Sequence, residues 1–175
     1  APTPAARAIR EMFYNMFMFE DHLLHFYFLG GPDFIVGPKA PRAERNILGV
    51  AAKVGLQTAG ELIAMRRMVR ELMEEIGGKA IHPVFGLPGG VAKRVNEEQR
   101  ERLIRVAAKA VDFAAFTLKA FEDLVLQNPE YVELITGDTY TLETYYMGLV
   151  DEQNRVNFYD GQVRIVDLRG REFGR

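Results

Sequence analysis

Asp21, His22 and His25 stand together in Glu20-Asp21-His22-Leu23-Leu24-His25-Phe26-Tyr27, inside a run of large apolar side chains from Met12 to Leu29. On a helix, Asp21 and His25 share a face at a spacing of four, and His22 and His25 nearly do at three. A carboxylate beside an imidazole can fix a tautomer, relay protons or help hold a metal. The apolar run predicts a helix buried on nearly every side, where ionisable groups are costly unless paired or functional. The alternative is a partly solvated histidine pair near Gly30, favoured by the negative end of the helix dipole. The pair lacks the spacing and the glutamate of the metalloprotease helix, so it does not by itself make a zinc site. The third histidine, His82, opens His82-Pro83-Val84-Phe85-Gly86-Leu87-Pro88-Gly89-Gly90-Val91. Gly89-Gly90 either lets backbone approach a ligand or another chain, or simply turns the chain between two helices.

The composition narrows the field. A chain of 175 residues can bury one ordinary core. With 22 Lys+Arg against 24 Asp+Glu and a net charge of -2, neither nucleic acid nor an anionic membrane is indicated as a partner. The cysteine count is 0, which removes disulfides, thiolate nucleophiles and cysteine-bound metals. No signal peptide is read, and a cytoplasmic protein is expected. The Met12–Leu29 run approaches membrane-span length, but Asn15, Glu20, Asp21, His22 and His25 interrupt it, so burial in protein is the reading.

Several elements must position these residues. Thr3-Pro4 is a helix opening, and the first helix is expected to reach about Leu29 and stop at Gly30-Gly31-Pro32, with residues 31–41 as a loop. A second helix is read from Arg42 to about Val54. A third is read from a capping box at Thr58-Ala59-Gly60-Glu61 to Gly77-Gly78. Residues 79–95 form a glycine-proline loop. Asn96 with Gln99 opens the longest amphipathic helix, to about Gln127, with Phe116 inside its polar stripe and wet unless something covers it. Thr139–Val150, Arg155–Tyr159 and Gln162–Asp167 read as short strands, with Asp160-Gly161 as a two-residue hairpin turn and Asp151–Asn154 as a longer one. No internal repeat is visible. The fold class is mainly α, a bundle of long helices over 1–135 with a small C-terminal antiparallel sheet over 139–168. Arg66-Arg67-Met68-Val69-Arg70 reads as the solvated side of its helix, with a docking patch as the alternative.

Read together, Asp21-His22-Leu23-Leu24-His25-Phe26-Tyr27, Gly77-Gly78-Lys79-Ala80-Ile81-His82-Pro83 with Pro88-Gly89-Gly90-Val91, and Asn157-Phe158-Tyr159-Asp160-Gly161-Gln162-Val163-Arg164 resemble the large subunit of nickel-iron hydrogenases. Order and approximate spacing agree over nearly the whole chain. The H-P…P-G-G-V element is shared with the respiratory complex I subunit descended from hydrogenases. The tyrosine-aspartate-glycine hairpin is similar to the cytoplasmic group that includes methyl-viologen-reducing and F420-reducing enzymes.

The resemblance implies reversible hydrogen oxidation at a nickel-iron centre of the intact subunit, with electrons leaving through an iron-sulfur small subunit as partner. In that family four cysteines hold the metals, and none is present here. The chain therefore reads as one internal fragment, 1–175, of a partial large-subunit fold, with no metal centre of its own, inactive alone and prone to self-association. Asp21 matches the family's acidic residue over the metal face, the catalytic candidate. His22, His25 and His82 match its supporting neighbours. The alternatives are a complex I-type electron-transfer scaffold, a stand-alone helical docking module, and a metal site built from the three histidines.

Overall fold

The computed structural model describes residues 1–175, the side chain of Tyr140 excepted. It has two compact units, Ala1–Val132 and Glu133–Arg175.

In the first unit, α1 (Pro4–Leu24) opens as its sequence requires: Thr3 Oγ1 accepts from the Ala6 amide at 3.3 Å and Pro4 takes the first turn. The rod does not stop at Gly30-Gly31-Pro32. It continues as π-helix over His25–Gly30 and again over Pro32–Val36, and ends only at Gly37, whose φ of +118° closes the run. The expected 31–41 loop is thus helical in its first half. A proline clashes with the carbonyl four residues back in an α-helix, and the wider π turn, bonded to the fifth residue, relieves that clash.

Asn46, not Arg42, starts α2 (Ile47–Val54): its Oδ1 accepts from the amides of Leu48 and Gly49 at 2.9 and 3.2 Å. The expected capping box at Thr58 is absent as a cap, because α3 (Leu56–Gly77) already begins at Leu56, with Gly55 turning the chain out of α2. Its far end is as read, with Gly78 left-handed at φ +78°. The glycine-proline loop carries a two-residue ladder, β1 (Gly86–Leu87) against β2 (Gly90–Val91). Asn96 and Gln99 then cap each other's backbone amides at 2.8 and 2.9 Å and launch α4 (Glu97–Phe121). Like α1, α4 runs on into π-helix, over Glu122–Leu126. A short α5 (Pro129–Thr136) follows.

The core is centred on α3. Leu62, Met65, Val69, Leu72, Met73 and Ile76 are buried together with Phe13, Leu23 and Tyr27 from α1 and its extension, and with Leu103, Val106 and Phe113 from α4. Among the described residues, no single helix is long and apolar enough to cross a membrane.

In the second unit, β3 (Tyr146–Val150), β4 (Gln162–Val166) and β5 (Glu172–Gly174) form one antiparallel sheet in that order. Thr139–Tyr145 and Arg155–Tyr159 are not strands; the latter contributes only a bridge from Val156 to Val150. Asp160-Gly161 is not a two-residue hairpin turn either. The Asn157 side chain gathers that segment instead, accepting from the Tyr159 and Asp160 amides at 3.1 and 3.2 Å. Gly161 is required there, since a Cβ would sit 2.2 Å from the Asn157 carbonyl oxygen.

One repeat, unread in the sequence, organises the remaining turns. Asp151 and Asp167 each accept from the amides two and four residues on, and each holds the Nε–H of an arginine four residues on, Arg155 and Arg171. The third residue after each aspartate, Asn154 or Gly170, is left-handed. The backbone donors hold both carboxyls below the usual aspartate range.

Tyr27 is 1% exposed, and its hydroxyl lies 3.1 Å from Thr117 Oγ1, which donates to the Phe113 carbonyl at 2.9 Å. Thr117 has one proton and spends it on Phe113, so Tyr27 must be the donor between the two hydroxyls. Burial raises the Tyr27 phenol above its ordinary value. A raised pKa contributes stability that is full below the ordinary phenol value and lost as pH rises through the folded one. Tyr27→Phe should cost about 1 kcal/mol near neutrality. It should also flatten the loss of stability above about pH 10, read by urea unfolding at stepped pH.

Candidate functional site

The site lies where α1 passes into π-helix. Asp21, His22 and His25 lie on its open side with Phe17 and Leu29, which are 41% and 63% exposed. The helix is therefore not buried on every side: Phe13, Leu23 and Tyr27 face the core while this stripe is open. Nor does the helical run end here. The chain stays helical to Val36, so the negative end of a helix dipole is not what favours the histidines. A change from α to π winding at His25 is a feature that recurs at functional sites.

His22 is held. Its Nδ1 lies 2.7 Å from the Met18 carbonyl, which can only accept, so Nδ1 carries a proton. The side chains of Asp21 and His25 make no hydrogen bond or ion pair among the described residues, although the His25 backbone N–H donates to the Asp21 carbonyl. Glu20, by contrast, is turned inward: Arg66 of α3 donates to its Oε1 through Nε at 3.0 Å and Nη2 at 2.6 Å. The two side chains are 14% and 12% exposed, so Arg66 does not belong to the solvated side of α3. Removing either partner strands the other charge away from water, at a cost on the order of 3 kcal/mol.

His82 follows α3 in the loop, exposed and left-handed at φ +54°. Among the described residues no three of His, Cys, Asp and Glu converge as metal ligands, so His22, His25 and His82 do not form a metal site. With no cysteine and no such group of side chains, the residues present do not fit a resident metal cluster.

The residue that spacing could not reveal is Arg10. Its Nη2 donates to the carbonyls of Leu87 and Gly90, each at 2.5 Å, and ties α1 to the glycine-proline loop beside the Phe13–Phe85 ring pair. Its Nε–H is buried without an acceptor. The partners lie 77 and 80 residues away, beyond any local pattern.

No protein-family model matches the sequence. Curated relatives do. The chain is 42% identical over 171 residues to an iron-sulfur subunit of the F420-non-reducing hydrogenase of Archaeoglobus profundus, spanning 98% of this chain and 35% of that protein. It is 41% identical to a vhu subunit of the F420-non-reducing hydrogenase of Methanocaldococcus jannaschii, over 98% of this chain and 39% of the relative. It is 26% identical to the beta subunit of the NAD-reducing hydrogenase HoxS of Cupriavidus necator, over 94% and 34%. A chain in the crystal structure of an NAD+-reducing [NiFe]-hydrogenase in the H2-reduced state superposes with a TM-score of 0.86 at 25% identity, covering 99% of this chain and 38% of that one.

The chain is thus related, along almost its whole length, to hydrogenase subunits, and it spans little more than a third of their length. The assignment to a nickel-iron large subunit is corrected. The Archaeoglobus relative is named an iron-sulfur subunit and the Cupriavidus relative a beta subunit, and none of the three carries the name of a large subunit. The large-subunit fold label falls with it, and so does the separate iron-sulfur small subunit as partner, since a protein named as an iron-sulfur subunit is itself a relative of this chain. The helical class with small antiparallel sheets stands.

Arg10→Met should cost about 2 kcal/mol, the loss of charged hydrogen bonds to two carbonyls. Amide exchange should speed up in residues 85–92 and not in α4, as read by hydrogen–deuterium exchange.

Proposed function

We propose that this chain is part of a subunit of a hydrogenase complex that oxidises or evolves hydrogen, and that the Asp21–His22–His25 face is its contribution to the chemistry. The observation that carries the reading is the match to hydrogenase subunits over 98% of the chain. The solved neighbour belongs to a [NiFe]-hydrogenase, and a nickel-iron centre is the cofactor proposed for the complex, held by residues that this chain does not supply. The complex is proposed to be cytoplasmic.

In this reading Asp21 takes up and releases a proton at its carboxylate. His22, in its neutral form, presents Nε2 as an acceptor, and His25 completes a short polar track one helical turn beyond Asp21. Phe17 and Leu29, at either end of the stripe, exclude water once the face is covered. His82, strained on its loop, supports the same assembly. Phe116, 46% exposed beside Phe113 on α4, is covered by other parts of the complex.

Asp21→Asn in the assembled hydrogenase should lower the rate of hydrogen uptake by about a hundredfold, within the range of a lost general acid–base group, while the complex still assembles. Uptake within twofold of the unmodified rate overturns the role of Asp21. Alone, the chain should self-associate through its bare apolar surface. Sedimentation at micromolar concentration showing only monomer contradicts that expectation.

A further inference from the structure

We infer that Arg66 is a positioning residue for the Asp21–His22–His25 face, holding the α-to-π junction of the first helix from both sides. The inference rests on the functional reading above and adds to it the residue that aims the face. The α winding ends at Leu24 and the π winding begins at His25. On the α side, Arg66 donates twice to Glu20, at 3.0 and 2.6 Å. On the π side, the same guanidinium lies over the Phe28 ring, 4.7 Å from its centroid. One planar cation from α3 therefore grips the rod at two points that bracket Asp21, His22 and His25.

The grip matters because of the kind of turn it spans. A π turn is less favourable than an α turn and is found mostly where something holds it. Slipping back to α winding at the junction would rotate the residues beyond it by about 100°, the angle one residue occupies on a helix. Asp21 and His25 share a face in either winding, but the turn after His25, Phe28 included, would swing round against α3 and change the surroundings of the His25 ring. Arginine suits the task where lysine does not: its flat fork donates twice to one carboxylate while its face stacks on an aromatic ring. Arg70, 3.9 Å from the same Glu20 oxygen, adds charge but neither contact.

The test uses histidine ring spectra of the isotopically labelled chain. Arg66→Met and Glu20→Gln should each shift or broaden the His25 ring signals. His22, tied to Met18 on the α side of the junction, should keep its own. Arg66→Lys should fall between, and Arg105→Met, which removes an exposed guanidinium on α4, should change neither. Should Arg66→Met fail to fold, Glu20→Gln carries the same reading. Unmoved His25 signals in Glu20→Gln overturn the inference, and so do His22 and His25 signals that move equally, since the pair would then be a general support of the fold. In the assembled hydrogenase, Arg66→Lys should lower kcat for hydrogen uptake about tenfold with KM for hydrogen unchanged, as a misaligned group does. If His25 moves and kcat does not, the clamp stands and the functional reading of the face falls.

Discussion

The ion pair between Glu20 and Arg66 is the constraint on which the polar end of the first helix depends. From Met12 to Leu29 that helix is apolar around most of its circumference, and hydrophobic burial is non-directional. Burial alone would accept Phe17 and Leu29 inward as readily as Phe13 and Leu23. A carboxylate and a guanidinium largely withdrawn from water do not allow that choice, because turning the helix separates them. The pair selects the rotation that sends Phe13, Leu23 and Tyr27 into the core and leaves Asp21, His22 and His25 outside.

Two polar anchors frame the same rod. Near its start, Arg10 reaches the carbonyls of the glycine-proline loop; near the junction, Arg66 reaches back from α3. Just past the junction, the Tyr27–Thr117 hydrogen bond ties the π segment to α4. Each is a directional contact set into an otherwise non-directional core, and together they give the rod one register against its neighbours.

What the sequence made legible was local. The Thr3-Pro4 opening, the reciprocal Asn96–Gln99 cap and the left-handed Gly78 each depend on residues within a few positions, and each stands at its expected place. The helical class with a small antiparallel sheet followed from patterns of the same range. The misses have a common cause in length scale or in turn chemistry. Gly30-Gly31-Pro32 is a stop signal for α winding, and it failed because the chain had already passed into π winding. The Arg66–Glu20 and Arg10 contacts join residues 46, 77 and 80 positions apart, where spacing carries no information. The twin aspartate turns of the second unit are hard to see in the sequence because they share only an aspartate and an arginine four apart. Motif order led to hydrogenase kinship and, one step too far, to a particular subunit.

The decisive observation is a structure of the hydrogenase complex proposed to contain this chain. Asp21 and His25 should point into the interior of the complex toward its metal centre, with the Asp21 carboxylate at hydrogen-bond reach, direct or through one water, of the groups around that centre. Arg66 should still bridge Glu20 and Phe28. If Asp21, His22 and His25 instead face bulk water, remote from the metals, the polar face has no part in the chemistry.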